Sequence, residues 1–240
     1  MDTQPYTRIL LKLSGEQLAG KFENGIDAEF GAWLAGEVKK VVDSGTQMVI
    51  MVGGGNYARG AQLAGHSIQR VTADNIGMLA TMMNGLALAD IFNSVQVATR
   101  VVSTIKADQI ADQFTHRRAV SHLQKGRVVI VAGGIGRPYL TTDTAAVSLA
   151  LELDCQVVLK ATKVDGVYDK DPAQFADATK IDQMSFQQAV ADDNIKVMDK
   201  AAMGLALEHH LPIIVFNASK TDNIYQVVQK QPIGTTIGDR

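Results

Sequence analysis

Arg8-Ile9-Leu10-Leu11-Lys12-Leu13-Ser14-Gly15 reads as a buried strand that runs into a glycine turn, with one lysine near its end. The same arrangement returns along the chain. Residues 48–52 lead into Gly53-Gly54-Gly55-Asn56, and residues 128–132 lead into Gly133-Gly134-Ile135-Gly136. Residues 157–160 lead into Ala161-Thr162-Lys163-Val164-Asp165-Gly166. Each run is short and nearly continuous in apolar residues, the pattern of a parallel sheet covered on both faces. Residues 213–216 make a fifth such run, and 95–99 a weaker sixth.

Helical patterns fill the intervals. Over 27–44 the apolar residues Phe30, Leu34, Val38, Val41 and Val42 form one stripe, and Gly45 follows as a C-terminal stop. Further helices are expected over 74–92, 144–153 and 199–210, the last closed by Leu211-Pro212. Thr221 or Asp222 is the expected cap of a final helix to about residue 228. Strand and helix alternate throughout, so the class is α/β: a three-layer αβα sandwich around a mostly parallel central sheet. One domain is expected, with a seam near 153–156 dividing residues 1–153 from 154–240 within one continuous sheet.

Composition excludes other classes. Of 240 residues, 46% are hydrophobic and 20% charged, which is not the make-up of a disordered chain. The 23 basic and 25 acidic side chains leave a formal charge of −2, which argues against a general nucleic-acid binder. Cys155 is the lone cysteine, so no intramolecular disulfide can form. No unbroken apolar run reaches the roughly 18–20 residues of a membrane span, and residues 1–7 lack a signal-peptide core. A cytoplasmic protein with no membrane partner is the expectation.

The chemistry-bearing residues gather behind the strands, where open α/β sheets bind their ligands. Lys12 could neutralise phosphate charge or could be an edge lysine reaching solvent. Three successive glycines at 53–55 let backbone N–H groups approach an anion, and Arg59 could add a bidentate contact. Thr141, Thr142 and Asp143 sit where a helix should begin; capping accounts for them, but not for the glycines before them. Tyr168 could flank a base, and Asp171-Pro172 reads as a turn. Neither a P-loop nor the full dinucleotide fingerprint is present, and no H-R-D or D-F-G occurs. No cluster has zinc spacing. The Met78, Met82 and Met83 group reads as core or subunit interface.

Taken together, these motifs resemble the amino-acid kinase superfamily. Lys-Leu-Ser-Gly-Glu from Lys12, Gly-Gly-Gly-Asn from Gly53, and Lys-Ala-Thr-Lys-Val-Asp-Gly-Val-Tyr from Lys160 occur in the family's order. Within it the chain is similar to the bacterial uridylate (UMP) kinases. Arg59-Gly60, Asp74 with the run from Gly77 to Asn84, Pro138-Tyr139 before Thr141-Thr142-Asp143, and Lys196-Val197-Met198-Asp199 narrow it so.

The resemblance implies transfer of the ATP γ-phosphoryl group to UMP, with Mg²⁺ accompanying ATP. Lys12, Leu13, Ser14 and Gly15 would touch the ATP phosphates, with Gly55 and Arg59 beside them. Thr162, Tyr168 and Asp171 would line the adenine and ribose pocket. Gly54 and Asp74 would hold UMP, wrapped by Ile135, Gly136, Arg137, Pro138, Tyr139, Leu140, Thr141 and Thr142. Asp143 would hold Lys12 in position, and Asp199 would support it. Residues 1–153 would form the acceptor lobe and 154–240 the ATP lobe. The family's bacterial members also imply a homohexamer activated by GTP and inhibited by UTP. The GTP response is associated with the loop aligned to Gly20, Lys21, Phe22, Glu23, Asn24 and Gly25. The rival readings are a carboxylate or carbamate kinase of the same superfamily and a non-catalytic nucleotide-binding protein on this fold.

Overall fold

The computed structural model describes residues 4–58, 63, 67–191 and 197–239. Its main sheet has nine strands in the order β4-β3-β5-β2-β1-β6-β10-β11-β9. The central strands are β1 (Arg8–Leu13), β2 (Gln47–Val52), β5 (Val128–Ala132), β6 (Val158–Thr162) and β10 (Ile213–Asn217). These are the five runs read from sequence, β1 and β5 with the same bounds and the other three shifted by a residue or two at their ends. They pair in parallel with one another. Only β11 (Thr235–Gly238) and β9 (Gln183–Ser185), at one edge, run the other way.

The chain lays β2, β3 (Thr99–Ser103), β4 (Asp112–Gln113) and β5 on one side of β1, then crosses to place β6 on the other. Strand order therefore reverses at β1. A crevice opens at such a reversal, at the carboxyl ends of the strands.

Helices cover both faces. One face packs under α2 (Ala28–Asp43), α3 (Arg70–Ser94) and α8 (Asn223–Val228), through Leu34, Val38, Leu88, Phe92 and Val227 against Ile9, Leu11 and Ile50. The other packs under α4 (His116–Gln124), α5 (Thr142–Glu152), α6 (Phe186–Ala191) and α7 (Lys200–Glu208), through Leu123, Ala146, Phe186 and Met203 against Leu10, Val131 and Val158. The short α1 (Gly15–Leu18) follows β1 directly, and β7 (Val167–Tyr168) pairs with β8 (Lys180–Ile181) as a separate ribbon.

Two expectations need correction. The weak strand expected over 95–99 lies at Thr99–Ser103 instead. Val95 closes α3, Gln96 turns with φ 63°, and the Asn93 side chain accepts the Thr99 N–H at 3.0 Å. Asp222 does stand before α8, yet its side chain makes no capping bond. It accepts instead from Lys40 Nζ at 2.6 Å, because its backbone is left-handed (φ 66°). Among the described residues, α3 is the one helix long and apolar enough to cross a membrane by composition. Ala80, Met82, Leu88 and Phe92 bury part of it in the fold.

Candidate active site

Lys12 and Lys160 are register partners in the adjacent strands β1 and β6. Paired residues of parallel strands face the same side of the sheet. Both lysines continue a row that Leu10 and Val158 begin inside the core. Lys12 is only 8% exposed. A buried ammonium is costly unless a counter-charge meets it. Asp143, in the first turn of α5, meets both: Lys12 Nζ lies 2.7 Å from Oδ1 and Lys160 Nζ 2.8 Å from Oδ2. Lys160 also donates to the Val197 carbonyl. Burial pushes the Asp143 carboxyl up, but the two ammonium groups outweigh it and hold it below the usual carboxylate value. Burial pulls Lys160 down, and Asp143 offsets this only in part. Lys12 and Lys160 share the Asp143 carboxylate, and the Asp199 carboxylate also acts on Lys160, so the two ammonium groups are held charged where they can receive phosphate oxygens.

Asp199 ties this cluster to the helices around it. It caps α7, accepting from Ala202 N at 2.9 Å, and also takes the hydroxyls of Thr144 (2.9 Å) and Thr141. Thr141 is itself the cap of α5, receiving the N–H of Asp143 at 3.0 Å. Capping thus falls to Thr141, and the Asp143 side chain is released to the lysines.

Two clefts of about 230 Å³ each lie beside the cluster, the first reaching it through Thr142 and the second through Lys160. The first is lined by Gly54, Arg70, Asp74, Gly77, Met78, Thr81, Ile135, Arg137, Leu140, Thr141 and Thr142. A Cβ on Gly54 would stand 2.8 Å from the Gly77 carbonyl, so the loop can lie on α3 only as glycine. Gly133, Gly134 and Gly136 are all left-handed, and Thr81 Oγ1 accepts the Gly133 N–H at 2.7 Å. Tyr139 also has a left-handed backbone (φ 66°), which costs about 1–3 kcal/mol in a bulky residue. Asp74 accepts its N–H at 2.8 Å, and Arg70 Nε lies 2.9 Å from both Asp74 oxygens. The Arg70 guanidinium also lies over the Tyr139 ring, 5.3 Å from its centre. Pro138 and Tyr139 thus belong to the rim, while Gly136 shapes the loop beneath them.

The second cleft is lined by Lys160, Thr162, Val164, Gly166, Val167, Tyr168, Lys170, Asp171, Pro172, Val197 and Val215. The Thr162 hydroxyl turns away toward the carbonyls of Val164 (2.6 Å) and Phe216 (3.0 Å). Asp171 closes its own turn, accepting from Ala173 N and Gln174 Nε2 at 2.9 Å each. Leu13 has its side chain in the core, leaving only its backbone to a ligand. Ser14 and Gln17 form a reciprocal capping box. Gly15 and Gly55 meet so closely that a Cβ on Gly15 would lie 2.6 Å from Gly55 N.

Arg59 and Lys196 lie outside the described residues. The loop from Gly20 through Lys21, Phe22, Glu23 and Asn24 to Gly25 stands apart from both clefts. Its Lys21 pairs with Glu29 at 2.6 Å, and Asp27 accepts the Lys21 N–H. Four residues without an assigned role come into the site: Lys160, Arg70, Thr81 and Thr144. Lys160 had a readable signal, a lysine inside an apolar run like that of Lys12. Among the described residues no group of three His, Cys, Asp or Glu side chains could hold a metal ion. Burial pushes the Cys155 thiol up to about 12, so it is no nucleophile at neutral pH.

The amino acid kinase family matches residues 7–217. The chain is 44% identical to the uridylate kinase of Dichelobacter nodosus, over 99% of each chain. It superposes on the crystal structure of UMP kinase from Bacillus anthracis with a TM-score of 0.93 at 36% identity, covering 98% of this chain and 97% of that one. The Ureaplasma parvum UMP kinase gives 0.89 at 34% identity over the whole of both chains.

Replacing Asp143 by Asn should strip two buried ammonium groups of their counter-charge. A loss of about 3–5 kcal/mol at pH 7 is expected from urea unfolding. Because the folded carboxyl titrates below its ordinary 3.8, the stabilisation is full above that pH. It fades as pH falls through the lower, folded value. The gap between wild type and Asp143→Asn should therefore narrow in acid, and a gap unchanged there would contradict the ion-pair account.

Proposed function

The chain belongs to the amino acid kinase family and is a phosphotransferase; from that premise we propose that it transfers the ATP γ-phosphoryl group to UMP, giving UDP and ADP. The observation that carries this reading is the Lys12–Asp143–Lys160 cluster with a cleft on either side of it. Phosphoryl transfer needs chiefly positioning and charge neutralisation. The acceptor phosphate is already a nucleophile, so no general base has to be found.

In this assignment Lys12 neutralises charge on the transferring group, and Lys160, the second cation on Asp143, faces the donor side. Asp143 aims both lysines. Asp199 keeps Thr141 and Thr144 in place and so steadies the start of α5. Arg59 adds the remaining positive charge. ATP rests its phosphates on the backbone of Lys12 through Gly15 and on Gly55, with its base and ribose near Thr162, Tyr168 and Asp171. The capped Thr162 hydroxyl leaves its backbone and methyl group for that contact. UMP sits on Gly54, its ribose at Asp74 and its phosphate and uracil along the segment from Ile135 to Thr142.

Bound together with ATP, Mg²⁺ would supply charge neutralisation at the phosphates. The donor set fits that arrangement: the oxygens of Asp143 and Asp199 are already engaged, so phosphate oxygens rather than carboxylates would hold the ion. Residues 1–153 form the acceptor lobe and 154–240 the ATP lobe. The protein works in pyrimidine nucleotide biosynthesis in the cytoplasm. Assembly into a homohexamer is supported by α3, where Leu79 and Met83 are 55% and 50% exposed on an apolar helix. GTP activation and UTP inhibition belong to the same proposal, with the loop Gly20–Gly25 as the responsive segment.

The test is ADP formation from Mg·ATP with UMP, CMP, glutamate and aspartate offered separately. Strong turnover with UMP is expected. Turnover with an amino acid alone would move the reading to a carboxylate kinase, and ATP binding without turnover would leave a non-catalytic binder. Within the UMP reading, Asp74→Asn should raise the UMP KM at least tenfold and the ATP KM far less. Equal effects on the two would remove Asp74 from the acceptor side.

A further inference from the structure

A pair of buried amides lies beneath the phosphate-binding loops. Asn84, on α3, is 0% exposed and Asn56 is 4% exposed. Their side chains bond each other twice: Asn56 Nδ2 donates to Asn84 Oδ1 at 2.9 Å, and Asn84 Nδ2 donates to Asn56 Oδ1 at 2.7 Å. The second hydrogen on each amide nitrogen goes to backbone. Asn84 Nδ2 donates to the Gly53 carbonyl at 2.7 Å, and Asn56 Nδ2 to the Gly25 carbonyl at 2.6 Å. Gly15 closes against the same group, since a Cβ there would lie 2.4 Å from Asn56 Oδ1.

We infer that Asn56 and Asn84 act as one positioning pair, which orients the Gly53–Gly54 peptide toward the acceptor and holds the Gly15 turn against it. A peptide unit is planar, and in the trans form its C=O and N–H point opposite ways. The described chain has no cis peptide. Fixing the Gly53 carbonyl on Asn84 therefore fixes the direction of the Gly54 N–H, in the residue that lines the acceptor cleft. Three glycines in a row have no side chains to set these angles, so the orientation must come from outside the loop. An apolar plug would fill the same volume yet impose no direction. Hydrogen bonds do impose one, and buried amides hold it because breaking them leaves polar groups unpaired. The pair also reaches Gly25, so a displacement of that loop is felt at Asn56 and hence at Gly53.

This role rests on the proposed placement of UMP at Gly54. Its test is a double-mutant cycle of Asn56→Ala, Asn84→Ala and the double variant, with kinetics, calorimetric binding of ATP and UMP, and urea unfolding on each. Phe92→Leu, at a core position near the far end of α3, serves as a control for stability loss alone. Each single variant should lose at least tenfold in kcat/KM for UMP, and the double variant should lose no more than the worse single one. Phe92→Leu should keep wild-type kinetics at a comparable loss of stability. If Asn84→Ala does not fold, Asn84→Ser takes its place with the same expectation. Single variants within twofold of the control, or losses that multiply in the double variant, would overturn the pair. Absence of UMP turnover in the wild type would sink the proposed reaction instead. In that case loss of nucleotide binding in the variants would still support the pair, and unchanged binding would overturn it.

Discussion

Three charges share one buried position, and the rest of the site is arranged around them. Lys12 and Lys160 belong to different strands and are far apart in sequence, yet their register places them side by side under α5. Neither could be desolvated alone without several kcal/mol of penalty. Asp143 answers both, and it can do so only because α5 begins where β1 and β6 end. The pairing of strands, the starting point of a helix and the electrostatics of the site are therefore one constraint. Moving any of the three would leave a charge buried without its partner.

The surrounding polar contacts extend that constraint outward. Asp199 joins the start of α7 to the start of α5 through Thr141 and Thr144. Asp74 joins α3 to the strained backbone at Tyr139. Strain of this kind persists where neighbouring bonds over-determine the conformation, and it concentrates at binding sites. The two clefts are thus walled in part by loops whose backbones are fixed from outside, with glycines at 54, 77 and 166 beside larger side chains such as Met78, Arg137 and Tyr168. Such a surface suits anions carried on nucleotides, which are recognised by backbone N–H groups and a few cations.

Much of this was legible in the residues. The runs at 8–13 and 128–132 appear in the structure with those bounds, because Ser14-Gly15 and Gly133-Gly134 follow them directly and end the strands. The helix over 28–43 is flanked by Asp27 and Ser44, as its stripe implies. What escaped was short or local. The helix His116–Gln124 buries only Ala119 and Leu123 in an otherwise largely polar segment, too few apolar residues to stand out. The shift from 95–99 to Thr99–Ser103 depended on how Asn93 folds back over the end of α3. Of the site residues, the glycines and Lys12 announced themselves by following strands. Lys160 stands in an apolar run as Lys12 does, but its partnership with Lys12 lies in a register that only the folded sheet supplies. The Asn56–Asn84 pair was invisible for the same reason, joining residues 28 positions apart.

In the proposed reaction one shared carboxylate aims two lysines at a phosphoryl group that passes directly between nucleotides in facing clefts. The most direct measurement is the stereochemical course at phosphorus, using ATP made chiral at the γ-phosphate with oxygen isotopes and UMP as acceptor. Direct in-line transfer between the two clefts predicts inversion of configuration in the UDP formed. Retention would require a phosphorylated protein intermediate and would contradict the account.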